Sequence, residues 1–337
     1  MKTSISLVVT SIAKPTPILR RLAKESQANA WSFILIGDAK SPSDFVLEGC
    51  DYYDVPRQLE LGLKYAQAAP LNHYARKNIG YILAARAKSD IIVETDDDNS
   101  PLGGFWKEDK ARIQNIAVCR DAGWVNAYRY FSDSHIWPRG FPLDLIGQPV
   151  PRFDGLPTEW VDCPIQQGLA DANPDVDAIY RLVCTLPQSF RVDRRIAFSR
   201  GSWCPFNSQN TAWWRDAYPL LYLPTYCSFR MTDIWRSFVA QRIAWENRWS
   251  VLFHEPTMMQ ERNEHNLMKD FEDEVVGYLK NKGICDALGS LRLREGPTHL
   301  AENMILCYEK LIGMGLFARA ELDLLTSWLS DMGSTFE

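Results

Sequence analysis

The densest chemistry in the sequence is Glu94-Thr95-Asp96-Asp97-Asp98-Asn99, directly after the apolar run Ile91-Ile92-Val93. Clustered carboxylates repel one another. A divalent cation would relieve the repulsion, and carboxylate oxygens suit Mn²⁺ or Mg²⁺. Side chains alternate along an extended chain, so an Asp-x-Asp pair sends two carboxylates to one side. Such a pair can hold a metal that also grips a diphosphate. Ligands of open α/β sheets bind beyond the carboxyl ends of strands, which is where this cluster would fall. The same residues also suit a solvated acidic turn, with Asn99, Ser100 and Pro101 as turn formers.

Just upstream lies Tyr74-Ala75-Arg76-Lys77-Asn78-Ile79-Gly80. Arg76 and Lys77 could neutralise a phosphate or a carboxylate. Gly80 would allow a close approach by a neighbouring element. A third stretch, Trp203 to Arg215, is dense in amides and aromatics. Asn207, Asn210 and Trp213 would suit a sugar, which stacks on indoles and hydrogen-bonds to amides, although a Trp just as well fills a core. Arg139 could contact a diphosphate or an anionic acceptor. There is no Gly-rich phosphate loop, Ser-His-Asp order or His-Glu-x-x-His motif.

The elements that must position these residues alternate at first. Ile5 to Thr10 reads as a strand. Pro15 and Pro17 open a helix through Leu19, Leu22 and Ala23. Trp31 to Ile36 is a second strand, closed by Gly37-Asp38, and a short one follows near Tyr52-Tyr53. Ala75, Ile79, Ile82 and Leu83 recur at helical spacing before the strand 90–95. Strands separated by helices imply crossovers and a mostly parallel sheet flanked by helices, the α/β class. From about 130 to 230 the chain is proline-rich and irregular, predicting long loops and short strands. A helix is expected from Thr232 as N-cap, with Asp233 in its first turn. The last ~70 residues read as helices. Their apolar stripes are Leu267, Phe271, Val275, Tyr278 and Leu279, ended by Gly283; then Leu300, Met304, Cys307, Tyr308 and Leu311; then Leu322, Leu325, Trp328, Leu329 and Met332.

The 337 residues carry a formal charge of −5, with 46% apolar and 23% charged side chains. That is enough chain for one large or two modest globular domains. The acidic balance argues against nucleic acid as a partner. No apolar run approaches the ~18 residues of a membrane helix, and the amino-terminal run reads as a strand rather than a signal. Eight cysteines without Cys-x-x-Cys spacing read as reduced thiols of a cytoplasmic protein.

Taken in order, Ala75 to Gly80 followed by Ile91 to Asp98 resembles the core of GT-A glycosyltransferases, in which an Asn-x-Gly helix leads into an Asp-x-Asp strand. More narrowly it is similar to the STELLO family. Gly37 to Pro42, Trp137 to Leu143, Pro205 to Thr211 and Asp233 to Glu246 support that match, which spans roughly 1–280. The resemblance implies a GT-A-like, Rossmann-related domain over 1–260. Its nucleotide-sugar half would be 1–130 and its acceptor half 131–260, with a helical region at 261–337. It implies a nucleotide-sugar donor, a UDP-sugar favoured, and a glycan or glycolipid acceptor such as those of polysaccharide biosynthesis. Arg76, Lys77, Asp96 and Asp97 would bind the nucleotide, with Asp97 toward the ribose or the fold. Asp96 and Asp98 would hold the metal. The STELLO pattern matches Glu94, Asp96 and Asp97, so a Glu94/Asp96 register is the alternative. His254, or else His265, would complete the metal shell, as a His does in many GT-A enzymes. Asp233 would be the general base of an inverting transfer, and Arg139, Asn207, Asn210 and Trp213 would contact substrate. STELLO proteins carry an amino-terminal anchor that this sequence does not show, so a cytoplasmic setting at the inner membrane face is expected. The rival expectations are a sugar-nucleotide mutase, a nucleotidyltransferase, or a non-catalytic scaffold that binds sugar nucleotides.

Overall fold

The computed structural model describes residues 3–107, 109–261 and 266–335. The amino-terminal half follows the alternation of its sequence. Strand β1 (Ile5–Thr10) is followed by helix α1 (Pro17–Asn29), β2 (Ser32–Ile36) and β3 (Asp51–Tyr53). Thr16 caps α1 by accepting from the Leu19 backbone N–H, with Pro17 in its first turn. Two short helices, α2 (Val55–Glu60) and α3 (Lys64–Ala68), precede α4 (Lys77–Arg86), which returns the chain to β4 (Ile91–Thr95). β3, β2, β1 and β4 lie side by side and all parallel.

Gly80 explains the closeness of α4 to this sheet. A Cβ there would sit 2.5 Å from Val8 Cγ1 and 3.1 Å from Ile36 Cγ1. The close approach expected from the sequence therefore falls on side chains of β1 and β2.

Beyond β4 the sheet changes character. It adds β5 (Asn99–Pro101), β6 (Arg112–Cys119), β8 (Thr158–Asp171), β9 (Arg195–Phe198), β11 (Asn210–Trp214) and β12 (Trp249–Gln260). β7 (Gly123–Trp124) and β10 (Ser202–Trp203) form a separate pair. The ten-stranded order is β3-β2-β1-β4-β11-β8-β6-β9-β12-β5, with β8 also paired to β12. β11 runs antiparallel to both β4 and β8, as do β6 to β8 and β12 to β9. The sheet as a whole is thus mixed, where the sequence suggested mostly parallel. Most strands after β4 are joined by loops and single 3-10 turns, and antiparallel neighbours need no helical crossover. β8 is also a 14-residue strand in a region expected to hold only short ones.

Helix α6 (Thr232–Glu246) is buried along nearly its whole length. Met231, not Thr232, is its N-cap, and no side chain caps it. Helices α5 (Ala178–Val183), α7 (Leu267–Gly289), α8 (Leu300–Gly313) and α9 (Glu321–Gly333) complete the layers. The C-terminal helices pack onto the α/β body. One apolar cluster contains Val8, Ile79, Phe238, Ile284, Leu311 and Trp328.

The α8 stripe is buried as expected. The α7 stripe is not. α7 continues past Gly283 and buries Asp270, Glu274, Gly277, Asn281, Ile284, Cys285 and Leu288, while Leu279 is 73% exposed. Its inner face is polar because it meets polar partners: Arg230 donates to Glu274, and Trp235 Nε1 to Asn281 Oδ1. All eight cysteines are free thiols. Among the described residues no helix is long and apolar enough to cross a membrane.

Candidate active site

A cleft of about 490 Å³ opens at the carboxyl ends of the parallel strands. Thr10 to Ile12 line it after β1, Ile36 to Asp38 after β2, and Asp96 to Asp98 after β4. The far wall comes from Arg139, Arg181, Ser208, Phe229, Arg230, Asp233 and Gln260.

The acidic run divides in two. Glu94 points into the protein and is fully buried. It accepts from Arg236 Nη1 and Nη2 at 3.0 and 2.8 Å, from Trp213 Nε1 at 2.9 Å, and from the Tyr81 hydroxyl. Its lone pairs are occupied, so the Glu94/Asp96 register has no place in the cleft. The three aspartates that follow do line it. Asp96 Oδ1 accepts from Lys77 Nζ at 2.9 Å. Asp97 Oδ2 accepts from Ser11 Oγ at 2.5 Å, which ties β4 to the turn after β1. Asp98 accepts from Gln260 Nε2 at 3.2–3.3 Å. Burial raises the Asp96 carboxyl above its ordinary value; Lys77 opposes the rise, and the charges of Asp233 and Asp97 add to it. Burial raises Asp97 as well, against the Ser11 bond.

This donor set can take a divalent cation only with help. Among the described residues no three His, Cys, Asp or Glu side chains are arranged to hold one. Magnesium commonly takes one or two carboxylates and completes its shell with water and substrate phosphates. Asp96 and Asp98 could supply two such carboxylates, while Lys77 and Arg139 already offset the charges of Asp96 and Asp233. His254 does not take part. It sits within β12 opposite Gly168 and Arg195, its Nδ1 lies 3.0 Å from the Glu255 carbonyl, and it does not line the cleft. Burial lowers its pKa and keeps the ring neutral. His265 lies outside the described residues.

The two basic residues before α4 have different roles. Lys77 is completely buried and spans from Asp96 to the Ser208 carbonyl, at 3.4 Å. Arg76 is also buried but lines the cleft. It donates to Gln58 Oε1 through Nε and Nη2, at 2.8 and 2.5 Å, and to the Ala69 carbonyl at 2.9 Å. Among the described residues no carboxylate pairs with it. Burial lowers its pKa, and the nearby Asp38 charge opposes the fall without an ion pair to it. His73 caps the turn ahead of α4 through Nδ1, and burial drops its pKa to about 4.

Asp233 enters the cleft from the first turn of α6, but not as a free carboxylate. Arg139 Nη1 donates to its Oδ1 at 3.0 Å and Nη2 to its Oδ2 at 2.9 Å. The Ser208 backbone N–H adds 3.2 Å to Oδ2. Burial pushes the Asp233 pKa up, yet Arg139 outweighs it and holds the group at about 2. Arg139 also grips Asp175 through Nε and Nη2, both at 2.8 Å, and donates to the Arg230 carbonyl. All its donors are taken, so Arg139 orients Asp233 rather than reaching a substrate.

The other expected contacts turn inward. Trp213 is fully buried, and its indole N–H belongs to Glu94. Asn210 Nδ2 donates to the Leu169 carbonyl and Thr257 Oγ1. Asn207 Oδ1 accepts from the Gln209 N–H. None of the three lines the cleft. Amides and indoles suit a sugar and a buried strand end equally, and pairing of β11 with both β4 and β8 assigns these to the latter. Residues not singled out do line it, among them Ser11, Asp38, His73, Tyr74, Phe229 and Arg230. The strand-end rule, had it been extended to β1 and β2, would have found Ser11 and Asp38; Phe229 and Arg230 lie in a 3-10 turn with no such signal.

The family model of the STELLO glycosyltransferases matches residues 230–336, from the start of α6 through α9. Similarity to two Arabidopsis thaliana proteins runs further. The chain is 27% identical over 346 residues to "Probable glycosyltransferase STELLO2", covering 96% of this chain and 44% of that one. It is 28% identical over 271 residues to "Probable glycosyltransferase STELLO1", covering 74% and 34%. It therefore spans less than half the length of these relatives. A solved structure titled "Crystal Structure of a Mycobacterial Protein" aligns with a TM-score of 0.41 and 10% identity, over 83% of this chain and 75% of that one. At that TM-score the likeness says nothing about the reaction.

Proposed function

From a chain similar over most of its length to the STELLO glycosyltransferases, we propose a metal-dependent, GT-A-like glycosyltransferase. It would move a hexosyl or pentosyl group from a nucleotide sugar, a UDP-sugar favoured, to a glycan or glycolipid acceptor. One observation carries this reading: a single cleft gathers Asp96 and Asp98, the buried guanidinium of Arg76, and Asp233. The nucleoside would lie along the ends of β1 and β2, near Ser11, Asp38 and Asp97. The diphosphate would reach Arg76, a buried guanidinium whose hydrogen bonds go to the Gln58 amide and the Ala69 carbonyl and not to a carboxylate. Mn²⁺ or Mg²⁺ held by Asp96 and Asp98 would offset the charge developing on the leaving diphosphate. Lys77 holds one Asp96 oxygen and opposes the rise that burial gives its carboxyl.

Asp233 is the proposed base. Held at about 2, it is weak toward an ordinary hydroxyl. An acceptor oxygen already bonding to the anomeric carbon is a far stronger acid, so a weakly basic carboxylate suffices if proton transfer comes late. Arg139 keeps Asp233 ionised and aimed. The same saturation of Asp233 favours a second reading, a sugar-nucleotide-binding protein without turnover.

Calorimetric titration with UDP, GDP, CMP and dTDP, each with and without Mn²⁺, tests the proposal. One nucleotide should bind tightly only with metal, and Asp96→Ala should abolish that binding. Unchanged affinity in the variant removes the metal assignment. Asp233→Asn should leave nucleotide binding intact and stop transfer; near-normal turnover removes the base assignment.

A further inference from the structure

Phe229 is 49% exposed, yet it belongs to a tightly held loop and lines the cleft. The C-terminal helices fix that loop from behind. Glu321 of α9 accepts from the backbone N–H groups of Thr225, at 3.1–3.2 Å, and Tyr226, at 2.6 Å. Ser228 Oγ donates to the Asp273 carbonyl of α7, and Arg230 Nε and Nη2 donate to Glu274 Oε1 at 2.9 and 2.8 Å. The Phe229 ring is backed by aromatic neighbours. Tyr74 meets it edge-on at 4.8 Å and His73 at 5.3 Å, and these two stack on each other at 5.5 Å. An apolar ring held at the edge of a polar cleft, with its position set by the residues on both sides, is built to meet something.

We infer that Phe229, backed by Tyr74 and His73, is a stacking platform for a pyranose ring of the acceptor, so that the acceptor is a glycan. This rests on the glycosyltransferase reading and extends it to the acceptor subsite. A pyranose presents a C–H face to an aromatic ring and a rim of hydroxyls to its surroundings. Asn72, which directly precedes His73, lines the same cleft and supplies such a partner. A bare hydrocarbon chain would leave that amide desolvated and unmet. The location also suits the acceptor. The Asp233 backbone N–H donates to the Tyr74 hydroxyl at 3.2 Å, so the platform adjoins the proposed base. A nucleobase is the other flat ligand that could stack here, and the experiment separates the two.

Wild type, Phe229→Ala and Phe229→Trp are compared in two measurements. Calorimetry with the four nucleotides reads the donor side. Saturation-transfer NMR with cellotriose, maltotriose, chitotriose and mannotriose, in the presence of Mg²⁺ and nucleotide, reads the acceptor side. At least one oligosaccharide should bind wild type. Its affinity should fall roughly tenfold in Phe229→Ala, the loss expected for about 50 Å² of apolar contact, and be largely kept in Phe229→Trp, with nucleotide affinity equal in all three. Nucleotide affinity lost in Phe229→Ala overturns the proposal in favour of a base-stacking role. Oligosaccharide binding that is absent, or unaltered by Phe229→Ala, also overturns it while leaving nucleotide binding in place. Failure of every nucleotide to bind wild type overturns the glycosyltransferase reading itself, and the acceptor platform with it.

Discussion

Replacing Glu94 by Gln tests how the cleft is held in shape. Glu94 lies two residues before Asp96, and its partner Arg236 lies three after Asp233, so this pair ties the acidic strand end to the start of α6. Both side chains are essentially sealed from solvent. Oε1 accepts from Arg236 Nη2 and Trp213, and Oε2 from Arg236 Nη1 and Tyr81. A glutamine keeps the shape but must place its NH₂ against one of these donor pairs, whichever way it is flipped. It also leaves the guanidinium buried without its counter-charge. Breaking a buried pair from one side costs about 3–5 kcal/mol. A chain of this length has an unfolding entropy of roughly 0.7 kcal/mol/K, so the melting temperature should fall by about 4–7 °C. Calorimetric or circular-dichroism melting reads this directly. The double variant Glu94→Gln, Arg236→Met removes the orphaned cation and should be more stable than Glu94→Gln alone. A Glu94→Gln melting temperature within 1–2 °C of wild type would refute the argument, as would a double variant less stable than the single.

Two further outcomes follow from the geometry. The ordinary Asp233 carboxyl value of 3.8 is depressed to about 2 in the folded protein. Its contribution to stability is therefore complete above the unfolded value and is lost as pH falls through the folded one. Thermal stability of wild type relative to Asp233→Asn, followed from pH 5 to 2, should shrink across about pH 4 to 2; a constant difference contradicts the Arg139 pairing. Gly80→Ala places a Cβ 2.5 Å from Val8 Cγ1. The gain in helix propensity should be outweighed by overpacking of about 1–3 kcal/mol, read by urea unfolding; a stabilised variant would show that α4 can move off the sheet.

The parts of the fold legible in the sequence are those where local pattern and tertiary burial agree. β1, β2 and β4 are runs of apolar, mostly β-branched residues, and α1 and α4 have helical spacing; each occurs close to where it was expected. The α8 stripe is equally direct. α7 shows the opposite. Its inward Asp270, Glu274 and Asn281 match no apolar periodicity, because their burial is compensated by Arg230 and Trp235 on other elements. β8 was hidden for a related reason. Its 14 residues include Pro164 and polar side chains, and only pairing with β6, β11 and β12 holds them extended.

The same division runs through the site. An apolar strand ending in a run of carboxylates, beside a helix that begins with two cations, is legible in the residues alone. Strand propensity, hydrophobic periodicity and alternation are short-range properties, so they are written locally. Which carboxylates face the cleft depends on contacts made by distant parts of the chain. Glu94 and Asp96 share a side of the strand, yet Arg236, 142 residues away, claims one, and Lys77 meets the other at the cleft's edge. Arg139, 94 residues before Asp233, makes that carboxylate a weak base, and α7 and α9 present Phe229 to the cleft. A buried charge takes its role from whatever compensates it, and the compensating group is brought into contact only when the chain folds.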